Sequence, residues 1–307
     1  MWDGQRGSVG RWGEHTNCPA GPSLPLPAAG SGELALAGDR VAWLQTVGLS
    51  KPGEELTTLW AANVAGGSPA RIASASAGDR ADVSGDYLGF LRGDGDLLAF
   101  NSWTYCAEGT DHPGCRGAGT SAPALWRIAD GAKVAVPVAQ PFPLASVDAG
   151  RLAVGTNPIR LVTVSGPVLR SIVTGAQDRH GLALSGTQLA LLASGNVLDV
   201  YDTVTEALVK RIPLVSRSKA APRLGGLESG VAVYLVGRQV RAVRISDGRD
   251  RLLAVAPGTP VDAQIEKTGA WFAYNRGKGA GRGRVVFVSW ASIQAAFREN
   301  RLRPNLT

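Results

Sequence analysis

The stretch Leu182–Leu192, LALSGTQLALL, decides the fold, because it places two apolar runs on either side of a short turn that contains glycine. Two short apolar runs joined by such a turn are typical of a β-hairpin. The same outline returns along the chain, at Leu34–Leu44, Ala145–Gly155, Gly225–Leu235 and Ala263–Tyr274. Repetition of one hairpin over 307 residues indicates a fold built from copies of a single supersecondary unit.

The spacing of the repeat identifies the unit as a propeller blade. The glycine between the two apolar runs returns every 36 to 57 residues, at Gly38, Gly95, Gly150, Gly186, Gly230 and Gly269. A four-stranded propeller blade takes about 40 residues. In the fourth copy, two further runs follow the hairpin, Asn196–Thr205 and Ala207–Val215, with charged residues at alternate positions. We therefore expect the first two strands of a blade to lie between neighbouring sheets and the outer two to face water.

The two ends of the chain predict how the ring closes. The last copy offers three strands, and residues 291–303 then place Ile293, Ala296 and Phe297 at helical spacing. Residues 1–13 contain a short strand, which we expect to supply the missing fourth strand of the last blade. The prediction is an all-β, six-bladed β-propeller of four-stranded antiparallel blades with a short C-terminal helix. A seven-bladed ring is the alternative. The blades are predicted at residues 33–78, 86–140, 143–175, 180–215, 222–257 and 259–290.

The repeat resembles bacterial β-propellers of the TolB-like and WD40-like kind. It is most similar to extracytoplasmic propellers of actinobacteria, through the phrases LAGDRVAW (Leu36–Trp43), FNSW (Phe100–Trp103) and RVVFV (Arg284–Val288). The paired Gly-His and Trp-Asp of true WD40 repeats and the SPDG turn of TolB are missing. The resemblance therefore implies the architecture and assigns no functional residue.

Composition limits the classes of partner. The net charge of +7 is not concentrated in a basic helix or a basic stripe with aromatic residues, so we expect no nucleic-acid binding. No run approaches the roughly 20 apolar residues of a membrane span, and the first fifteen residues lack the apolar stretch of a secretory leader. We expect no cofactor, since no phosphate-binding glycine loop occurs. We also expect a monomer.

The cysteines are the residues that indicate the cellular compartment of the protein. Cys106 and Cys115 lie in a polar loop that closes readily, which favours a disulfide between them over free thiols. A disulfide predicts an extracytoplasmic protein, with a signal peptide absent from this chain, although Cys18 would then be unpaired. His112 alone accompanies these cysteines, so we predict no metal site.

Long connections concentrate on one face and one arc of the predicted ring. The segments between the second and third strands are long in blades one, two and six, at Thr46–Thr57, Trp103–Ala122 and Asn275–Arg284, and the link Ser74–Asp86 adds to them. Loops longer than the fold needs often bind ligands, although insertions are also tolerated where nothing packs. The candidate binding residues near these loops are Gln45, Asn101, Trp103, Tyr105, Asp111, His112, Asp262, Tyr274 and Asn275.

Catalytic patterns are sparse. Asp148, Glu228 and Glu266 precede turns on the opposite face, where we expect solvated carboxylates, and no nucleophile elbow occurs. The sequence favours a non-enzymatic module that binds a protein or a cell-envelope polymer through the long loops of blades six, one and two. The alternative is a hydrolase or lyase that acts on a glycan or another polymer at the axial pocket, with Asp262 and the Asp111–His112 pair as its first candidates. A purely structural domain of a longer polypeptide is the third hypothesis.

Overall fold

A computed structural model gives the fold. It describes residues 2–3, 8–9, 24–25, 31–48, 54–63, 68–77, 85–105, 121–135, 145–155, 157–163, 168–174, 179–193, 196–216, 221–275 and 283–298. Three short strands come first: β1 (Trp2–Asp3), β2 (Ser8–Val9) and β3 (Leu24–Pro25). Blade one comprises β4 (Ser31–Ala37), β5 (Arg40–Gly48), β6 (Glu55–Asn63) and β7 (Ala70–Ala77). Blade two comprises β8 (Gly85–Asp94), β9 (Leu97–Tyr105), β10 (Ser121–Arg127) and β11 (Lys133–Ala135).

The remaining blades follow in the same order. Blade three comprises β12 (Ala145–Asp148), β13 (Arg151–Val154), β14 (Ile159–Thr163) and β15 (Val168–Ile172). Blade four comprises β16 (Arg179–Ser185), β17 (Gln188–Ala193), β18 (Val197–Asp202) and β19 (Leu208–Pro213). Blade five comprises β20 (Arg223–Glu228), β21 (Val231–Val236), β22 (Gln239–Arg244) and β23 (Asp250–Val255). Blade six comprises β24 (Thr259–Glu266), β25 (Gly269–Asn275) and β26 (Gly283–Ser289), and the helix α1 (Trp290–Arg298) ends the described chain.

The blades are antiparallel meanders arranged in a closed ring, as predicted. Within each blade, every strand pairs with the strand before it, so the strand order follows the sequence. The inner strands β4, β8, β12, β16, β20 and β24 contact one another in cyclic order, and β24 returns to β4. The six-bladed prediction is confirmed. Blades one and two also share one bridge, Ala77 to Gly85, which joins their sheets.

The N-terminal strand lies where the ring needs a fourth strand. Blade six has three paired strands of its own, and β1 lies against the last of them, β26. The contacting strand is Trp2–Asp3, while Ser8–Val9 pairs with β1 on its other side. The N-terminal segment therefore covers the outer edge of the last blade, which would otherwise be open.

The core lies between the blades, because each sheet is apolar on both faces. In blade four, Leu189 and Leu191 pack towards blade three, whereas Ala190 and Leu192 pack towards blade five. Alternate residues of one strand thus belong to different inter-blade clusters. The turns between first and second strands repeat their geometry as well. Gly186, for example, adopts a φ of +54°, a conformation that glycine permits without steric cost.

The third strand differs from expectation. In β18 we expected the alternating charged residue to face water, but Asp199 is only 1% exposed. Its two carboxylate oxygens accept hydrogen bonds from Arg211 at 2.7 and 3.0 Å. Blade three covers this side of β18, since the neighbouring Tyr201 packs with residues of blade three. Only the fourth strand, β19, is largely exposed.

The C-terminal helix packs against blades five and six. Ile293 and Phe297 are buried in the cluster between these blades, as their spacing predicts. The Arg244 guanidinium lies 5.2 Å from the centre of the Phe297 ring, and Arg251 donates a hydrogen bond to the carbonyl of Ala296. The Ser289 hydroxyl accepts a hydrogen bond from the backbone N–H of Ser292 and caps the start of the helix.

Candidate binding face

The face that carries the long connections is formed by the ends of the second strands. These connections span residues 49–54 in blade one, 106–120 in blade two and 276–282 in blade six. The equivalent connections in blades three, four and five span residues 155–158, 194–196 and 237–238. The asymmetry predicted from the sequence is therefore present in the strand boundaries.

The segment Ser74–Asp86 is partly strand, because β7 continues to Ala77 and β8 begins at Gly85. The link that remains, residues 78–84, is as long as the connection 276–282 but shorter than the links at residues 136–144 and 214–222. The connections between second and third strands are therefore what distinguishes blades six, one and two.

The described candidate side chains lie between different pairs of blades. Gln45 shares the side of β5 that carries Val41 and Trp43, which points towards blade six, and it is partly exposed. Asn101 is fully buried, on the side of β9 whose Ala99 packs against blade three. These two candidates therefore face away from each other and do not share a pocket.

Tyr274 contributes to the core. It is 6% exposed and belongs to the cluster between blades five and six, with its ring 6.2 Å from that of Phe272. Tyr274 and Phe272 are two residues apart in β25 and so lie on the same side of the strand. This spacing could have placed Tyr274 in the core from the sequence. The Tyr274 side chain therefore packs between blades five and six.

Asp262 lies near the axis of the ring. Its Oδ1 accepts a hydrogen bond from the backbone N–H of Ala263, and its Oδ2 lies 3.7 Å from Arg92 Nη1 in blade two. Gln264, two residues further along β24, donates to the carbonyl of Leu91 across the ring at 3.4 Å. Blade six is thus tied to blade two at the axis.

The axial cavity is small. It is lined by residues from the inner strands of blades two to six, including Arg92, Ser146, Leu182, Gly226 and Gln264. Its volume of about 40 Å³ accommodates water molecules rather than a sugar ring. Ligand pockets usually measure several hundred Å³.

The remaining candidates lie partly or wholly outside the described residues. Asp111, His112, Cys106 and Cys115 fall in the connection 106–120, which the structure does not describe. Three further candidates are placed by their backbone at the strand ends that lead into the long connections: Trp103 and Tyr105 in β9, and Asn275 in β25. Among the residues that the structure describes, no group of three or more metal-ligating side chains occurs, and no helix is long and apolar enough to cross a membrane.

The opposite face contains a group that sequence reasoning missed. Glu266 was expected to be a solvated turn carboxylate, but its Oε1 is buried and without a hydrogen-bonding partner. The pKa of Glu266 is raised to about 7: burial is the main cause, the Trp271 indole lowers the pKa, and the nearby carboxylates of Asp94 and Glu228 raise it. Of the two other turn carboxylates, Asp148 accepts a hydrogen bond from the N–H of Gly186 in the next blade, whereas Glu228 accepts one from the hydroxyl of its neighbour Ser229. Asp94 in blade two likewise accepts from the N–H of Ala149 in blade three.

Comparisons with known proteins agree on the fold and on nothing narrower. No family model matches the chain, and no curated protein matches it significantly in sequence. Among solved structures, a chain in the crystal structure of a mitotic checkpoint complex is similar over 85% of this chain and 75% of its own, with a TM-score of 0.54 and 14% sequence identity. Altogether 975 chains of solved structures match, and a fold shared so widely does not select a function. The β-propeller is confirmed as the architecture.

Proposed function

We propose that this protein is a non-enzymatic binding module that recognises a protein or a cell-envelope polymer through the loop face of blades six, one and two. The observation that carries the proposal is the length of the connections 276–282, 49–54 and 106–120 beside the short ones of blades three to five. These three blades are neighbours in the closed ring, so the strand ends that lead into these connections lie on one arc of the face. Loops that exceed structural need on a rigid scaffold are a common form of binding site.

A protein ligand is favoured over a polymer substrate. Propellers commonly serve as interaction domains, and the similar solved chain comes from a multi-protein complex. The axial cavity of about 40 Å³ is too small for a glycan, and Asp262 is engaged with Arg92. These observations favour binding over the hydrolase or lyase alternative.

The experiment removes the longest connection and leaves the strands in place. In the test variant, residues 106–120 are replaced by a short turn like the one that joins β21 to β22 at Gly237–Arg238. The matched control shortens the connection 214–222, which lies on the same face between blades four and five. Both proteins should retain the wild-type circular dichroism spectrum and melting temperature.

The readout is affinity capture with the purified, immobilised protein, followed by quantitative mass spectrometry. We expect a set of proteins that bind the wild type and the control but are lost, by at least tenfold, from the variant without residues 106–120. Equal capture by all three proteins would show that the arc is not the binding surface.

The compartment and assembly are part of the same proposal. We propose an extracytoplasmic monomer related to the TolB-like propellers, with a disulfide between Cys106 and Cys115 in the longest connection. The support is the sequence of that loop, which contains both cysteines between β9 and β10. Peptide mapping without reduction tests the disulfide, and light scattering after gel filtration tests the monomer. A free thiol at both positions, or a dimer mass, contradicts the corresponding part.

A further inference from the structure

Exposed apolar side chains concentrate at the outer edges of blades three and four. Nine large apolar residues are exposed in the part of the chain that the structure describes, and six of them belong to these two blades: Leu169, Val173, Val204, Leu208, Val209 and Val215. Single exposed apolar residues are ordinary on a protein surface. A group of them on neighbouring blades instead indicates a surface that contacts another molecule.

The outer strands of these two blades form the walls of a groove, here called the three–four groove. On β15, Ile172 packs in the cluster between blades three and four, so Arg170, two residues earlier, lies on the same wall. On blade four, Leu191 belongs to the same cluster, and its cross-strand neighbours Asp199 and Arg211 share its side of the sheet. The groove therefore has an arginine on each wall.

A loose ion pair crosses the groove. Arg170 Nη1 lies 3.4 Å from the Oε1 of Glu206 in blade four, and the two side chains are 48% and 40% exposed. Exposed pairs of this kind contribute little to stability, because water competes for both charges. A carboxylate from another molecule can therefore replace Glu206 beside Arg170.

The arginine on the other wall is held from below by a buried charge. The Asp199 carboxylate is 1% exposed and accepts hydrogen bonds from Nε and Nη2 of Arg211 at 2.7 and 3.0 Å, whereas the Arg211 side chain is 63% exposed. Burial of a carboxylate is costly, and pairing with a largely hydrated cation offsets only part of that cost. The pair thus stabilises the fold poorly, but it holds the planar guanidinium in one orientation.

The charged pair in blade five has a different environment. Arg241 and Asp250 lie 2.7 Å apart and are only 15% and 16% exposed. The Tyr234 hydroxyl donates to the same carboxylate, so this pair is enclosed and forms part of the wall between blades four and five. Arg211, in contrast, presents its oriented guanidinium to solvent, where a ligand can reach it.

We propose that the three–four groove binds an extended segment of a partner protein in which an aspartate or a glutamate lies beside an aliphatic residue. The ligand carboxylate binds Arg211 and replaces Glu206 at Arg170. The aliphatic side chain packs on Leu208, which is 44% exposed. Leu208 faces this groove because it is paired with Tyr201, a member of the cluster between blades three and four.

Charge and shape favour this ligand. The accessible charges of the groove are two guanidiniums and the carboxylate of Glu206, an excess of one positive charge that matches one carboxylate better than a polyanion. The planar fork of arginine also fits the geometry of a carboxylate. The walls β15 and β19 are five and six residues long, or roughly 17–20 Å, which suits an extended segment of similar length. This surface lies across the ring from the long connections and is independent of the function proposed for them.

The test uses variants of the full chain. Removal of Arg211 alone would leave the Asp199 carboxylate buried without a cation, so the main variant combines Asp199→Asn with Arg211→Gln, neutral groups of similar size. Arg170→Gln is the second variant. Arg249→Gln is the matched control, because Arg249 is 49% exposed and pairs with Asp247 on blade five. Circular dichroism and the melting temperature show whether each variant folds.

The probe is a phage-displayed library of random peptides, selected against the wild-type protein. Enriched peptides are synthesised and titrated against each variant by fluorescence anisotropy. We expect an acidic residue next to an aliphatic one in these peptides, and a Kd that rises roughly tenfold to a hundredfold in the double variant and in Arg170→Gln, as for the loss of a hydrogen bond to a charged group. Arg249→Gln and the variant without residues 106–120 should bind as the wild type does.

Four results would overturn the proposal. The first is that no enriched peptide loses affinity in the double variant or in Arg170→Gln; if the double variant does not fold, an unchanged Kd in Arg170→Gln is sufficient. The second is binding that depends on residues 106–120 instead, which assigns the peptides to the loop face. The third is binding of phosphatidylserine vesicles, and of no peptide, that the groove substitutions abolish. The fourth is a dimer of the wild type, seen by light scattering, that the same substitutions dissociate, because a second copy then occupies the groove.

Discussion

The close approach of blades five and six at Gly225 gives a prediction in which the sign of the effect is decisive. A Cβ atom at Gly225 would lie 2.6 Å from the carbonyl oxygen of Ala263 and 2.9 Å from its Cβ. The first of these is a backbone atom of β24, which is hydrogen-bonded to β25, so it cannot move away as freely as a side chain could. The φ angle of Gly225 lies outside the left-handed region, and alanine could adopt the same backbone conformation.

Two effects of Gly225→Ala therefore oppose each other. Loss of freedom in the unfolded chain would stabilise the protein by about 0.4–1 kcal/mol. Overpacking destabilises by about 1–3 kcal/mol, and contact with backbone places this site in the upper part of that range. The net expectation is a loss of about 1–2 kcal/mol, or a melting temperature lower by roughly 2–6 °C.

Thermal and urea unfolding, followed by circular dichroism, measure the change. Gly226→Ala is the matched control, because its Cβ would meet the Ile265 Cγ2 methyl at 3.2 Å and the Ile265 backbone nitrogen at 3.3 Å, both farther away than the carbonyl oxygen that a Cβ at Gly225 would meet. We expect its effect to stay within about 1 kcal/mol of the wild type. A Gly225→Ala protein as stable as the wild type, or more so, would refute the close packing of the inner strands.

Two further predictions concern buried groups of blade five and the helix. Tyr234→Phe removes the hydroxyl that donates to Asp250, and should lower the free energy of unfolding by about 1–2 kcal/mol in urea titration, with no change in secondary structure. Phe297→Ala removes a ring that is 2% exposed and lies beneath Arg244, and should cost about 3–5 kcal/mol by the same titration, whereas Phe287→Ala, at a 41% exposed position, should cost less than about 1 kcal/mol. Equal effects of the two phenylalanine substitutions would contradict the packing of the helix.

The architecture could be predicted from the sequence because its signals are local. A glycine at the first turn, such as Gly186 with its φ of +54°, and apolar residues on both sides of it recur in each blade and do not depend on the rest of the fold. The helix could also be predicted, because Ile293 and Phe297 are spaced by one helical turn, and both are buried in the structure.

The burial of single polar groups could not be predicted, because it depends on what the neighbouring blade places opposite. Alternation in β18 shows that Asp199 and Tyr201 share a side, but not that blade three covers that side. A position before a turn predicts an exposed carboxylate, whereas Glu266 is only partly exposed and its Oε1 is buried. The alternation of side chains along β25, in which Tyr274 shares a side with Phe272, would have placed Tyr274 in the core rather than at the entrance of a pocket.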